Sequence, residues 1–401
     1  MRRRSLIAGS GALLFGSRAH GAESTSLPAQ LPDGMLAEAH FADLPGKRRL
    51  IELTDRPPNY ASPIEVFTDV VTQNDRFFVR YHMDGVPTPP PVDSWTLTVG
   101  GDAAEKTITL RWQDLMDLPP NDVLAVCQSA GNRRGFVVPH VAGVQWPDGG
   151  MGCARWSGVT LSDILKRAGV ETGAQEVWFT GADIPPTPGI PIFQRSLPLA
   201  KAMEPSTLVA TAMNNAPLPL LNGNPARLVV PGWVGDYWVK HLSRIEISSK
   251  PLDNYWMKST CRVPVGLFPV EAPFTSQMTE TTVPVTEIVV NSVIADPLEG
   301  AEVDRAGFTI TGVAWDHGSG IDRVEVSFDG GATWRDALLE SVQGKHAFRR
   351  FTLQTTWMKP GRYRLTSRAI ANSGEKQASK IRANPGGYQN NVPRSIEVIV
   401  R

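Results

Sequence analysis

The sequence predicts a mixed α+β domain over about residues 55–250, followed by an all-β domain of immunoglobulin type over about 270–401. Three observations carry that prediction. The chain has 401 residues, more than the roughly 100–200 of one domain, so two or three separate cores are expected. Before residue 250, β-like runs are interrupted by only a few short helical patterns. Beyond it, the pattern is simple alternation in short runs about ten residues apart, divided by Gly and Asp turns. Gly 36 and Pro 33 stay below the roughly 25–30% of low-complexity disorder but indicate many loops.

From the N-terminus, Arg2-Arg3-Arg4 leads into a small and apolar run from Leu6 to Gly16, then Ala19-His20-Gly21-Ala22. This reads as an export signal over residues 1–22, and the paired arginines before Ser5-Leu6-Ile7 are similar to a twin-arginine signal, which implies a periplasmic location. The apolar run is shorter than the roughly 20 residues a membrane span needs, and no later stretch qualifies, so no membrane span is expected. Forty basic residues balance forty acidic ones, which argues against a nucleic-acid partner. Three widely spaced cysteines, Cys127, Cys153 and Cys261, do not form a disulfide framework, and the lack of Cys-x-x-Cys-His excludes a c-type haem on this chain.

Residues 23–54 carry no strong period and read as an extended arm. Strand patterns follow at 77–81, 95–99, 123–126, 176–180 and 226–230, with helices expected over 110–118 and 161–168. Thr160 caps the second helix, with Asp163 at the capping-box spacing. Regular patterning stops over a linker at 251–269, and alternating strands resume at 308–315, 324–328 and 363–368.

The densest polar stretch, Cys127 to Arg134, follows a strand directly and ends on two arginines around a Gly-Asn turn, an arrangement suited to anions. Arg80 and His82 lie two apart on an earlier strand and so share a face. The segment 77–82, the Ala-Gly-Asn-Arg-Arg run at 130–134, Gly143-Val144-Gln145-Trp146, Ala154-Arg155-Trp156, Val229-Val230-Pro231-Gly232 and Trp256-Met257-Lys258 together resemble the sulfite oxidase family of molybdenum enzymes. Within it the likeness points to the haem-free bacterial periplasmic sulfite dehydrogenases. Further on, Gly312-Val313-Ala314-Trp315 and the 323–334 segment are similar to that family's C-terminal dimerisation domain.

The resemblance implies a molybdopterin cofactor, sulfite oxidation by oxygen-atom transfer, a homodimer, and a separate c-type cytochrome as electron acceptor. It implies Arg80 and Arg134 for the substrate anion, Trp146 for the pocket wall, and His82, Asp183, Asn222, Arg227 and Lys240 for the pterin and its phosphate. Two positions depart from the pattern. The family places the thiolate that binds molybdenum immediately before Ala/Ser-Gly-Asn, where this chain has Ser129, with Cys127 two residues earlier at roughly 6–7 Å along a strand. Cys261 stands where the family usually has a tyrosine, with Tyr237 a candidate to supply the missing hydroxyl. Ligation by Ser129, by Cys127 or by Cys261 all remain open, as does a reductase acting on an S-oxide, or a relative with impaired or no catalysis.

Overall fold

The computed structural model describes residues 31–32, 40–265 and 282–401. The expected export signal at 1–22 lies outside these residues, as does the end of the expected linker at 251–269. Among the described residues no helix is long and apolar enough to cross a membrane.

The first domain is built on three sheets and a few short helices. At its centre, the long strands Pro120–Gln128 and Met151–Thr160 pair antiparallel, with Gln128 opposite Met151. A second sheet has five strands, in which Leu242–Ser248 pairs parallel with Thr96–Gly100 and antiparallel with Glu176–Gly181. The helix Leu161–Ala168 covers apolar surface with Leu161, Ile164 and Leu165, and the Thr160 hydroxyl accepts the Asp163 N–H at 3.2 Å as expected. The other expected helix is shorter, Trp112–Met116. Leu110 and Arg111 instead belong to the strand Ile108–Arg111, because Leu110 pairs with Leu97 and the Asp114 carboxylate accepts the Arg111 N–H at 2.9 Å.

The segment read as an extended arm is structured from residue 41. Phe41–Leu44 and Lys47–Thr54 form a hairpin that continues through Asn59–Ala61 to Val79–Arg80 as a four-stranded sheet. Its turn is Pro45-Gly46, with Gly46 at φ 74°, a conformation that glycine adopts without penalty. Leu50, Tyr60, Val79 and Tyr81 form its own small apolar cluster, so the hairpin is held by packing.

The second domain is a sandwich of a four-stranded and a five-stranded sheet around Val290, Ile310, Val324, Phe351 and Leu365. Its inner residues come from alternate positions, as in Ile310–Ala314 and Val324–Val326. It joins the first domain through a shared apolar layer, with Trp315, Phe348 and Tyr388 packed into the first domain's core. Polar contacts cross the same boundary. Trp315 Nε1 donates to Gln128 Oε1 at 2.6 Å, and the Val126 N–H donates to the His346 carbonyl at 2.9 Å.

Candidate active site

Strand alternation orients the site. Gln128 turns toward the second domain, so its neighbours Cys127 and Ser129 both face the other way, onto one shared cavity. Ser129 is fixed by its N–H to the Gly150 carbonyl (2.8 Å), and its Oγ accepts the Gly131 N–H at 3.3 Å across the tight turn that follows. Cys127 is packed beneath it, against Gly235 and beside Arg227. Burial pushes its thiol up to about 11, against the lowering charges of Arg227 and Lys240, so it is protonated at neutral pH.

The cavity is rich in cations. Arg80, Arg227 and Lys240 line it together with His82, Asn222 and Asp236. Arg80 Nη1 donates to Asn59 Oδ1 at 3.0 Å. Arg227 donates to the Asn222 carbonyl (2.9 Å) and the Trp238 carbonyl (3.0 Å), leaving a buried Nε without a partner. Lys240 Nζ donates to the Arg80 carbonyl at 2.9 Å and lies 3.8 Å from the centre of the Tyr81 ring. Burial lowers Lys240 to about 8 despite the opposing charge of Asp183. His82 Nε2 meets Asp236 Oδ1 at 3.2 Å and stacks on Phe193 at 4.5 Å. Burial, then the charge of Arg80, lowers His82 to about 4, so the imidazole is neutral. Burial works to raise Asp236, but His82, Arg195 and Arg80 outweigh it and leave the carboxylate ionised.

Of the residues singled out by sequence, Arg80, His82, Cys127, Ser129, Asn222, Arg227 and Lys240 therefore meet on one cavity. The others stand behind its wall. Asp183 is buried, acts electrostatically on Lys240 and Arg227, and has an unpartnered Oδ1. Trp146 is fully buried, edge-on behind Phe78 at 6.0 Å. Arg134 is committed to backbone, with Nε to the Gly386 carbonyl (2.5 Å) and Nη1 to the Val144 carbonyl (3.0 Å), and its charge is felt by Arg80. The adjacent Arg133 turns away to Asp148 at 2.9 Å, so neither arginine of the pair lines the cavity: one makes a structural ion pair and the other stands behind the wall. The ligand atoms of Cys261, His82 and Asp236 lie within 4.8 Å of one another, and Tyr237 is buried under Arg195.

Four residues near the site were not singled out by sequence. Asp236 sits beside Tyr237, and a lone acid in an apolar run, Val234 to Val239, is its only signal. Lys47 is 3% exposed and donates to Asn222 Oδ1, yet in sequence it belongs to a Lys-Arg-Arg run of surface appearance. Tyr388 reaches in from the second domain, its hydroxyl accepting the Cys261 N–H at 3.2 Å and its ring lying 5.0 Å from Arg134. Arg195 is buried beside Tyr237.

Three buried imidazoles, His82 (about 4), His241 (about 3) and His346 (about 4), are lowered chiefly by burial. The unfolded chain takes up these protons near pH 6.5 and the folded one only near 3–4, so stability falls as pH drops through that window. Across the whole window each lowers stability by at most roughly 3–5 kcal/mol. Thermal unfolding should show a steep fall in Tm from pH 6.5 to 4.5, and a flat profile there would contradict the buried neutral state.

A family of molybdopterin-binding oxidoreductase domains matches residues 82–256, and the Mo-co oxidoreductase dimerisation domain matches 282–398. These two define the class as a molybdenum-cofactor oxidoreductase in two parts. Chicken sulfite oxidase (Gallus gallus) is 33% identical over 323 residues, covering 78% of this chain and 68% of that protein. Mouse mitochondrial sulfite oxidase (Mus musculus) is 35% identical over 312 residues, covering 76% of this chain but only 56% of that protein, so the chain spans little more than half of it. The sulfane dehydrogenase SoxCD of Paracoccus pantotrophus superposes with a TM-score of 0.73 at 25% identity, covering 97% of this chain and 92% of that one. The chain belongs to the sulfite oxidase family of molybdopterin enzymes.

The cavity fits that family's cofactor. Its buried cations exceed its ionised acids, and the orphaned Arg227 Nε and the depressed Lys240 call for an anionic group such as a pterin phosphate. Asn222, Arg227 and Lys240 would hold the pterin, and Ser129 is the side chain that would face the metal, with Cys127 packed beneath it.

Proposed function

We propose that this protein oxidises sulfite to sulfate at the Ser129 end of the cavity and passes the electrons to a separate c-type cytochrome, as an exported, periplasmic homodimer. The observation that supports the reading best is the convergence of Arg80, Arg227 and Lys240 on the cavity that Ser129 faces. When bound, the molybdenum centre supplies oxygen-atom transfer and stores the two electrons. The chain supplies the rest. Arg80 draws in a small oxyanion and favours it over neutral molecules, and the charge of Arg134 behind it adds to the same field. His82 stays neutral, oriented by Asp236 and Phe193, and donates no charge of its own. Phe77, Phe78 and Phe193 exclude water, which strengthens the arginine's hold.

A substrate panel tests the direction of the reaction. Sulfite with an artificial electron acceptor should turn over, whereas nitrate or an S-oxide with an artificial donor should not; the reverse result would favour a reductase. The comparison with fungal nitrate reductase from Neurospora crassa, 33% identical over 364 residues and 80% of this chain, makes that arm necessary.

The second domain is proposed to carry the dimer contact. A chain truncated after Lys250 loses Trp315 and Phe348 from the shared core and the partner of Gln128, so it should be monomeric or insoluble on size-exclusion chromatography. A well-behaved dimer would overturn the assignment.

A further inference from the structure

Arg195 is 1% exposed, yet only one of its nitrogens is bonded to protein oxygen: Nη1 donates to the Trp256 carbonyl. Nε and Nη2 make no well-aligned hydrogen bond: the Tyr237 hydroxyl interacts with the guanidinium, but the guanidinium lies over the ring, 4.5 Å from its centre. Leaving charged donors without a well-formed partner in the interior is costly, so they call for a better acceptor than the Tyr237 hydroxyl. Asp236, whose charge acts on Arg195, also has an unpartnered buried oxygen, Oδ2, so the two have not closed on each other. Position indicates what fills the gap. Arg195 lies two residues from Phe193, which lines the cavity with His82, and its charge acts on Cys261 and Asp236. Arg80 acts on the same two groups.

We propose that Arg195 is a further substrate-binding residue, whose Nε and Nη2 donate to an oxygen of the sulfur oxyanion in the space beside Cys261 and Asp236. The inference rests on the reading of the cavity as an oxyanion site. With Arg80 it makes a clamp of two guanidinium groups around the anion, which favours a doubly charged oxyanion over a singly charged one.

The test uses the cofactor-loaded full chain and sulfate, an unreactive oxyanion, with binding followed by calorimetry and sulfite KM and kcat measured in parallel. Arg195→Gln should weaken sulfate binding about 10- to 100-fold and raise KM more than it lowers kcat, with molybdenum content unchanged. Arg195→Lys, which keeps the charge and loses the planar fork, should fall between and serves if the glutamine variant does not fold. Sulfate affinity unchanged in both variants, or lost only in step with molybdenum, would overturn the proposal. Arg80→Gln run alongside separates the two readings. If it weakens sulfate binding and the Arg195 variants do not, only Arg195 is misassigned; if neither does, the oxyanion site itself is wrong.

Discussion

Replacing Ser129 with cysteine should raise sulfite turnover about 100-fold or more. Ser129 stands on the cavity wall, held by Gly150 and Gly131, at the position where the family's pattern has the thiolate. A serine hydroxyl ionises far less readily than a thiol and offers a hard oxygen in place of a soft sulfur, which changes the potential of a bound metal. Substitutions one layer further out cost 10–100-fold in typical metal sites, so a change in the ligand itself should cost at least as much. Adding Cys261→Tyr to Ser129→Cys should raise turnover further by restoring a hydroxyl donor near Arg80 and His82. Cys127→Ala is the control. Its thiol is protonated and packed against Gly235 and Arg227, so its loss should change turnover little. Loss of the metal in Cys127→Ala would make Cys127 the ligand.

Arg80→Gln should raise the sulfite KM strongly, with a loss of about 2–4 kcal/mol in transition-state binding, while molybdenum content holds. The fold should survive, because Asn59 Oδ1 keeps the Tyr81 N–H as a partner at 3.3 Å when the guanidinium is removed. Arg134→Gln should behave differently. It also removes the donors to the Gly386 and Val144 carbonyls, so it should lower Tm as well as raise KM. Steady-state kinetics with metal analysis and thermal unfolding separates these outcomes, and an equal loss of molybdenum in Arg80→Gln would move that residue to the pterin.

Much of this architecture was legible in the sequence where local pattern decides it. Alternation at 308–315 and 324–328 appears as Thr309–Trp315 and Ile321–Ser327, and Thr160 caps its helix as its spacing predicts. The same period of two put Cys127 and Ser129 on one face. The hairpin at 41–54 was not legible, because its charged Lys47-Arg48-Arg49 run masks the strand pattern; only tertiary packing buries Lys47 against Asn222 and the Asn74 and Phe77 carbonyls. For the same reason, no short motif could show that Tyr388, more than a hundred residues away in sequence, reaches Cys261. Nor could adjacent arginines reveal that Arg133, at φ 69°, turns to Asp148 while Arg134 is held by the Gly386 and Val144 carbonyls behind the cavity wall.

The central claim is that Ser129, and no cysteine of this chain, faces the metal. X-ray absorption at the molybdenum edge of the loaded protein tests it most directly by counting sulfur neighbours. The expected result is sulfur from the pterin alone in the natural sequence, and one more sulfur in Ser129→Cys. An extra sulfur already present in the natural sequence, and lost in Cys127→Ala or Cys261→Ala, would contradict it.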